Sequence, residues 1–441
     1  VKANQSARKD FEGSDLIVAD GQTVTYGSPT LRFTHRTARV TIVLTDYTEG
    51  LASVRLTGLS TEGGNPAEIT PYDKGSNTYT ALVAPQSVVA GTAFITCTFT
   101  NGKTFVYKMK NATDWQAGGE YTYTVSLTAA KDPGYTIEGN GSYTVTSADG
   151  LMHVADLVNG GKTDINITLD KNIDLTGKDW TPIGTDYDNS YKGTFDGGGH
   201  TITGLTFTTN DEYAGLFGWL NRAGTVKNVV MEGVQITSNQ IYGGSIGGVV
   251  GYGWGTIENC SVSGSVSGTV YVGGVVGVQI GGSITGCSSS ATVKGTVDVG
   301  GVAGQTNSSA TLTACYATGN VIIEMDPKKN IAGGSLVGMN AGSSLLACYA
   351  TGNVTSTGSS TGYMHIGGFL GNNYTTVTAG YWKNNHEQGI GYNRESTGAT
   401  KVDGSVVTWQ KAVDAMNTAL QNAGSEWRYE LKGALPTLRK Q

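Results

Sequence analysis

The sequence predicts an all-β protein in two parts, a β-sandwich followed by a parallel β-helix (β-solenoid) with short helical caps. Three observations carry that prediction. A short glycine-bounded phrase returns six times between Gly215 and Gly371. A second phrase ending in cysteine follows the middle four copies and opens a period-two pattern. Ahead of both, short alternating runs separated by turn residues occupy the first 130 positions.

The first phrase appears as Gly215-Leu-Phe-Gly218, Gly248-Val-Val-Gly251, Gly274-Val-Val-Gly277, Gly301-Val-Ala-Gly304, Ser335-Leu-Val-Gly338 and Gly368-Phe-Leu-Gly371. Its closing glycines lie 33, 26, 27, 34 and 33 residues apart, a period that marks stacked repeats. The second phrase is Ile257-x-x-Cys260, Ile284-x-x-Cys287, Leu312-x-x-Cys315 and Leu345-x-x-Cys348. From each Cys, small or branched residues alternate with Ser, Thr, Asn and Tyr, as on a strand with one buried face. No repeat holds the run of helix formers that a helical solenoid needs. Successive coils should therefore stack at strand spacing, and six of them give a rod roughly 30 Å long. The glycines are expected to supply backbone conformations that other residues resist.

Composition narrows the function. No apolar run approaches the ~20 residues of a membrane-spanning helix. The net charge is −6 with the signs interspersed, so no basic stripe favours nucleic acid. The sequence shows no signal peptide, and its Thr-, Ser-, Tyr- and Asn-rich strands suggest a mature secreted protein whose leader has been removed. Of five cysteines, Cys97 stands alone and four hold equivalent repeat positions. These four could form a disulfide ladder or a metal row, but an inward stack of small thiols is the expected arrangement.

Along the chain, Leu31-x-Phe33-x-His35 and Ala38-x-Val40-x-Ile42-x-Leu44 alternate, and further strands are expected at 52–56, 78–83, 93–100, 103–109 and 120–127. Turns are expected at 62–66, 73–75 and 101–102. His35, Trp115, Tyr121 and Tyr123 read as structural residues. A hinge at 129–141 separates the sandwich (1–130) from the solenoid (135–441). Ser147 should cap a helix carrying Leu151, Val154, Ala155 and Val158, forming an N-terminal cap over 142–165. Irregular first coils follow at 165–175 and 192–207. The coil from Val226 needs a bulge, because Val234 and Ile236 fall on the opposite parity to Met231. Insertions at 238–243, 324–331 and 356–365 should project as loops, where binding residues concentrate. Tyr252, Trp254, Tyr271, Tyr363 and Met364 lie in or near such turns; the four aromatic residues are the candidate ligand contacts. A helix with Trp409, Val413, Met416 and Leu420, followed by a strand at Trp427-x-Tyr429-x-Leu431, should form a C-terminal cap over 405–441.

Two parts of the chain resemble known families. The Gly-Leu/Val-x-Gly phrase with its Ile-x-x-Cys strand is similar to the GLUG repeat of bacterial surface proteins. Its lead-in, Trp180-Thr-Pro-Ile-Gly184 and Tyr191-Lys-Gly-Thr-Phe-Asp-Gly-Gly-Gly-His-Thr-Ile202, is of the kind that precedes such repeats. Leu31-Arg-Phe-Thr-His-Arg-Thr-Ala-Arg-Val40, closing with Trp115-Gln-Ala-Gly-Gly-Glu-Tyr-Thr-Tyr-Thr-Val125, resembles one domain of the fimbrillin-like (Mfa-like) proteins. These are pilus subunits and tip adhesins of Bacteroides-type bacteria, made as lipoproteins with two transthyretin-like sandwiches. The resemblance implies a transthyretin-like fold, a missing first sandwich and an outer-membrane or cell-surface location. It also implies contact with other pilus subunits through the sandwich. Because a solenoid stands where the family's C-terminal donor strand would be, a tip or accessory position is expected.

Catalytic patterns are weak. A glycosidase requires two carboxylates across a groove, yet Glu258, Asp298 and Glu324 hold unlike repeat positions. His386-Glu-Gln-Gly-Ile390 has Ile where a second zinc-binding His would stand. Asp186-x-Asp188-Asn189 has hard oxygen ligands but lacks the downstream Glu of a calcium loop. The expectation is a non-enzymatic adhesin, without a cofactor or metal, that presents its solenoid to a surface glycan or protein. A carbohydrate-active β-helix enzyme and a non-binding structural spacer are the alternatives.

Overall fold

A computed structural model describes all residues except 28–29, 49, 63–64, 101–102, 129–132 and 396–397. The glycines of the turn expected at 62–66, the turn at 101–102 and the start of the hinge lie outside the described residues. The chain divides into two compact units, Val1–Asp132 and Pro133–Gln441.

The first unit is a β-sandwich. One sheet orders Glu120–Ser126, Ala38–Thr45, Thr78–Val83 and Tyr72–Gly75, with the first pair parallel. The other orders Leu51–Leu56, Ala93–Phe99 and Thr104–Lys108, all antiparallel. Alternation explains the core: Ala38, Val40, Ile42 and Leu44 point inward and meet Phe94, Ile95, Cys97 and Trp115. The Trp115 indole Nε1 donates to the Tyr123 hydroxyl at 2.9 Å. A short helix α1, Arg8–Glu12, lies near the start. Gln5, fully buried, holds the backbone of Leu82 through both amide atoms (2.9 and 2.8 Å).

The run around Leu31 departs from expectation. Only Thr34–His35 pairs there, with Ile17–Val18, and Leu31 and Phe33 are 46% and 60% exposed. A period-two pattern buries a face only where another layer covers it, and none covers these residues. His35 Nδ1 lies 2.7 Å from a carboxylate oxygen of Asp15, a structural contact.

The second unit is a parallel β-solenoid whose coils stack in register on three faces. A coil runs from the third face (for example Tyr271–Gly273) through the Gly-x-x-Gly corner. It then follows the first face in two limbs, exemplified by Val250–Gly253 and Thr256–Glu258. After the Cys corner it takes the second face, exemplified by Ser261–Ser267. The third face has six strands, one for each copy of the phrase. The first limb has seven, from Phe217–Leu220 to Ile390–Asn393. The stack thus extends beyond the six recognisable phrases. Inward ladders run through it: Ile257, Ile284, Leu312, Leu345 and Val377 pair in succession, all buried. The expected bulge occurs, with register slipping between Met231 and Val234 around Gly233 (φ 65°), which returns Val234 and Ile236 to the core.

The glycines of the phrase act differently from the expectation. Their φ angles are not left-handed; they allow close approach. A Cβ on Gly277 would come within 2.4 Å of the Ile246 amide nitrogen and 2.7 Å of the Gly251 carbonyl. One on Gly274 would meet the Ser289 hydroxyl at 2.1 Å. The left-handed positions form a separate ladder at the Cys corner: Asn228, Asn259, Gly286, Ala314, Ala347 and Ala379, with φ between 51° and 66°. Asn and Gly suit that conformation. Ala replaces them at 314, 347 and 379, where the C-terminal segment packs and Ala314 and Ala347 are fully buried.

That segment is displaced from its expected place at the solenoid end. Helix α3, Trp409–Asn422, is capped by the Thr408 hydroxyl, which accepts from the Lys411 amide. It and the hairpin Trp427–Glu430/Thr437–Lys440 lie along the flank of several coils. Tyr316 and Tyr349 stack at 4.9 Å beneath it, Trp409 meets Tyr349 at 5.2 Å, and the Tyr429 hydroxyl donates to the Ala347 carbonyl at 3.0 Å. Lys440 reaches Glu258 at 2.7 Å. The apolar stripe follows the flank because outward tyrosines and small alanines repeat there coil after coil. Helix α2, Ala148–Asn159, is capped by Ser147 and sends Leu151, Val154, Ala155 and Val158 into the solenoid core.

Candidate functional site

The close approach allowed by the phrase glycines folds the third face against the first limb, and the outward rows of the two faces meet in a concave corner. From the first limb the row is Trp219, Tyr252, Val278, Gln305, Met339, Asn372 and Tyr392, each paired with the next. From the third face it is Tyr213, Ser245, Tyr271, Asp298, Ala332 and His365. At strand spacing the seven-residue row spans ~29 Å.

One end of the corner is aromatic. Trp219 lies 4.2 Å from Tyr252 and 4.7 Å from Tyr213, with Tyr187 at 5.8 Å on its other side. Such clusters favour edge-to-face contact, and Tyr187 is largely exposed. Burial raises the pKa of Tyr213 and Tyr252, and at Tyr213 a hydrogen bond to Glu212 (2.7 Å) adds to the shift.

The other end deepens into a cleft of about 410 Å³ lined by residues that include Tyr271, Asp298, Gln305, Met339, Tyr363, His365, Asn372 and Tyr374. His365 stacks on Tyr392 at 5.0 Å and on Tyr363 at 6.1 Å. Asp298 is only 6% exposed, and no donor or cation engages its carboxyl among the described residues. Burial pushes it up to about 7. The Asn372 amide oxygen is likewise buried without a partner. No Lys or Arg lines the cleft.

The four candidate contacts thus separate. Tyr271 and Tyr363 line the cleft, and Tyr252 stands in the aromatic end on a strand, not in a turn. Trp254 is apart, its indole over Gly281 at the bend between the two limbs. Met364 opens a third-face strand and is 48% exposed. Sequence reading missed Trp219, Asp298, Gln305 and Asn372. Their signal was a shared position relative to the phrase glycines: Trp219, Gln305 and Asn372 each directly follow a closing glycine.

The remaining motifs make contacts within the chain. All four repeat cysteines are free and buried. Each thiol donates to the carbonyl two residues earlier and to one in the coil below; for Cys287 these are Thr285 at 3.4 Å and Ile257 at 3.6 Å. Burial raises the thiols of Cys260 and Cys315, and that of Cys97 to about 11. The Asp186 carboxylate accepts from the Asp188 and Asn189 amides (2.9 and 3.0 Å) and the Thr185 hydroxyl (2.9 Å), closing its own turn. Among the described residues no cluster of His, Cys, Asp and Glu could hold a metal. The His386 ring lies 3.0 Å from the Val354 carbonyl.

Comparison with known proteins assigns the two units to described classes. Residues 1–147 match the fimbrillin-like (Mfa-like) family, and residues 242–267 and 268–294 match the GLUG motif. The N-terminal region is a fimbrillin-like domain, and the second unit is a β-solenoid with GLUG motifs. A solved Bacteroides ovatus structure, a candidate immunoglobulin A1 protease, shares the fold at a TM-score of 0.51 and 18% identity, over 68% of this chain and 93% of its own. A candidate cell adhesion protein of Bacteroides thetaiotaomicron aligns at a TM-score of 0.16 and 19% identity, over 23% of this chain and 51% of its own. Halomucin of Haloquadratum walsbyi is 38% identical over 120 residues, 25% of this chain. A candidate Gly-rich membrane protein of Evansella cellulosilytica is 33% identical over 129 residues, 27% of this chain. The chain spans 1% and 14% of the length of these two relatives. The fimbrillin-like domain points to a cell-surface adhesin or fimbrial protein. Among the described residues no helix is long and apolar enough to cross a membrane.

Proposed function

We propose that this protein is a surface adhesin or pilus tip or accessory subunit that binds its ligand, a surface glycan or protein, along the concave corner of the solenoid. The fimbrillin-like unit then serves attachment to the envelope or to other pilus subunits. The observation that carries this reading is the continuous outward row from Trp219 to Tyr392. It presents aromatic rings at both ends of one groove and the amides of Gln305 and Asn372 toward one of them, beside the carboxyl of Asp298. Such convergence of apolar surface and a few polar groups suits recognition. Turnover is disfavoured because the cleft lining has one acid and no nucleophile–base pair.

Beads coated with the full chain, offered a glycan and extracellular-matrix array, test the reading. Retention is expected on at least one surface, with a loss of tenfold or more for Trp219→Ala with Tyr271→Ala. Retention unchanged by those substitutions, or shortening of the arrayed glycan, would refute it.

A further inference from the structure

We propose that the cleft takes an uncharged carbohydrate chain lying along the solenoid axis, with the Asp298 carboxyl accepting hydrogen bonds from neighbouring hydroxyls of one sugar residue. This deepens the groove reading above and rests on it. A carboxyl taken from water is ordinarily paired, because an uncompensated buried polar group costs free energy. Asp298 is more than nine-tenths buried, lines the cleft and has no partner among the described residues. The unpaired amide oxygen of Asn372 belongs to the same lining. The ionised carboxyl and the amide oxygen are both acceptors, so the missing ligand groups are donors.

Vicinal hydroxyls supply donors in pairs, and the C–H faces of a sugar ring suit Tyr271 and Tyr363. An acidic polysaccharide is disfavoured, because its carboxylates would face Asp298 with no Lys or Arg in the lining to offset them. A protein strand is disfavoured because the strands flanking the cleft are already paired on both sides, leaving no edge to extend. The row repeats at ~4.8 Å over ~29 Å, which favours an elongated ligand whose own units repeat.

Calorimetric titration of the full chain with cellohexaose, maltohexaose, mannohexaose, an oligogalacturonate and a short oligolysine tests this. At least one neutral hexaose is expected to bind. Asp298→Asn and Tyr271→Ala should each weaken it tenfold or more, while the charged probes stay silent. Silence from all three neutral probes would overturn the inference. So would preferential binding of either charged probe, or indifference to Asp298→Asn. If the neutral probes fail while array retention still depends on Trp219, the ligand class is wrong and the groove reading stands. If retention is also indifferent to Trp219, both fail. Asp298→Asn removes a buried charge, so loss of binding in that variant is separable from unfolding by its denaturation curve.

Discussion

The buried carboxyl of Asp298 makes a stability prediction independent of any ligand. Its ordinary pKa is 3.8 and burial pushes it up to about 7 in the fold. Below 3.8 both states hold the proton and the group is neutral toward stability. Between 3.8 and 7 the unfolded chain releases a proton that the native state keeps, so stability falls as pH rises; above 7 the cost levels off. At 1.36 kcal/mol per pH unit, the wild type is penalised by about 1 kcal/mol at pH 4.5 and about 4 kcal/mol at pH 8. Asn lacks the charge in both states, so the advantage of Asp298→Asn should grow by about 3 kcal/mol between those pH values. Tyr271 also lines the cleft, but burial and the Asp298 charge raise its pKa above the ordinary 10, so its hydroxyl stays protonated at both pH values. Guanidinium denaturation of the full chain at both pH values, following the solenoid transition, measures it. An advantage that is flat with pH, or a variant less stable than wild type at pH 8, would refute the burial argument.

Four further outcomes follow from the structure. Gly277→Ala should destabilise the solenoid by about 3 kcal/mol, since the new methyl meets backbone. Gly139→Ala, where nothing lies within 4 Å, should be nearly neutral by the same denaturation assay. Asn259→Ala should cost about 1–2 kcal/mol for a left-handed alanine, beyond the lost 2.8 Å hydrogen bond from Asn259 to Asn228. A variant as stable as wild type would remove the account of the corner ladder. All five thiols are buried, so Ellman's reagent should label none in the native protein and five after denaturation; rapid native labelling would contradict the inward stack.

Much of the architecture was legible because the repeat dictates it. Period two after each Cys located the second face, and the parity break at Val234 forecast the bulge. The Ser147 cap and the Leu151–Val158 stripe located α2. What the sequence concealed were relations between distant residues. Phe33 alternates as a core residue does, yet no layer covers it. The 409–431 stripe reveals an amphipathic helix but not which surface receives it. The alanines at 314, 347 and 379 become meaningful only once α3 lies over them. The groove was concealed for the same reason: Asp298 and Asn372 are ordinary strand residues until two faces fold together. Aromatic residues near turns were visible, and that signal led to Tyr252, Tyr271 and Tyr363 and equally to Trp254, which stands apart from the cleft.

Hydroxyl-radical footprinting of the full chain, with and without its strongest-binding array probe, tests the central claim most directly. The groove account predicts protection of Tyr252, Tyr271, Tyr363 and Trp219, with Trp254 labelled equally in both states. Protection confined to Trp254, to the flank beneath α3 or to the sandwich would contradict it.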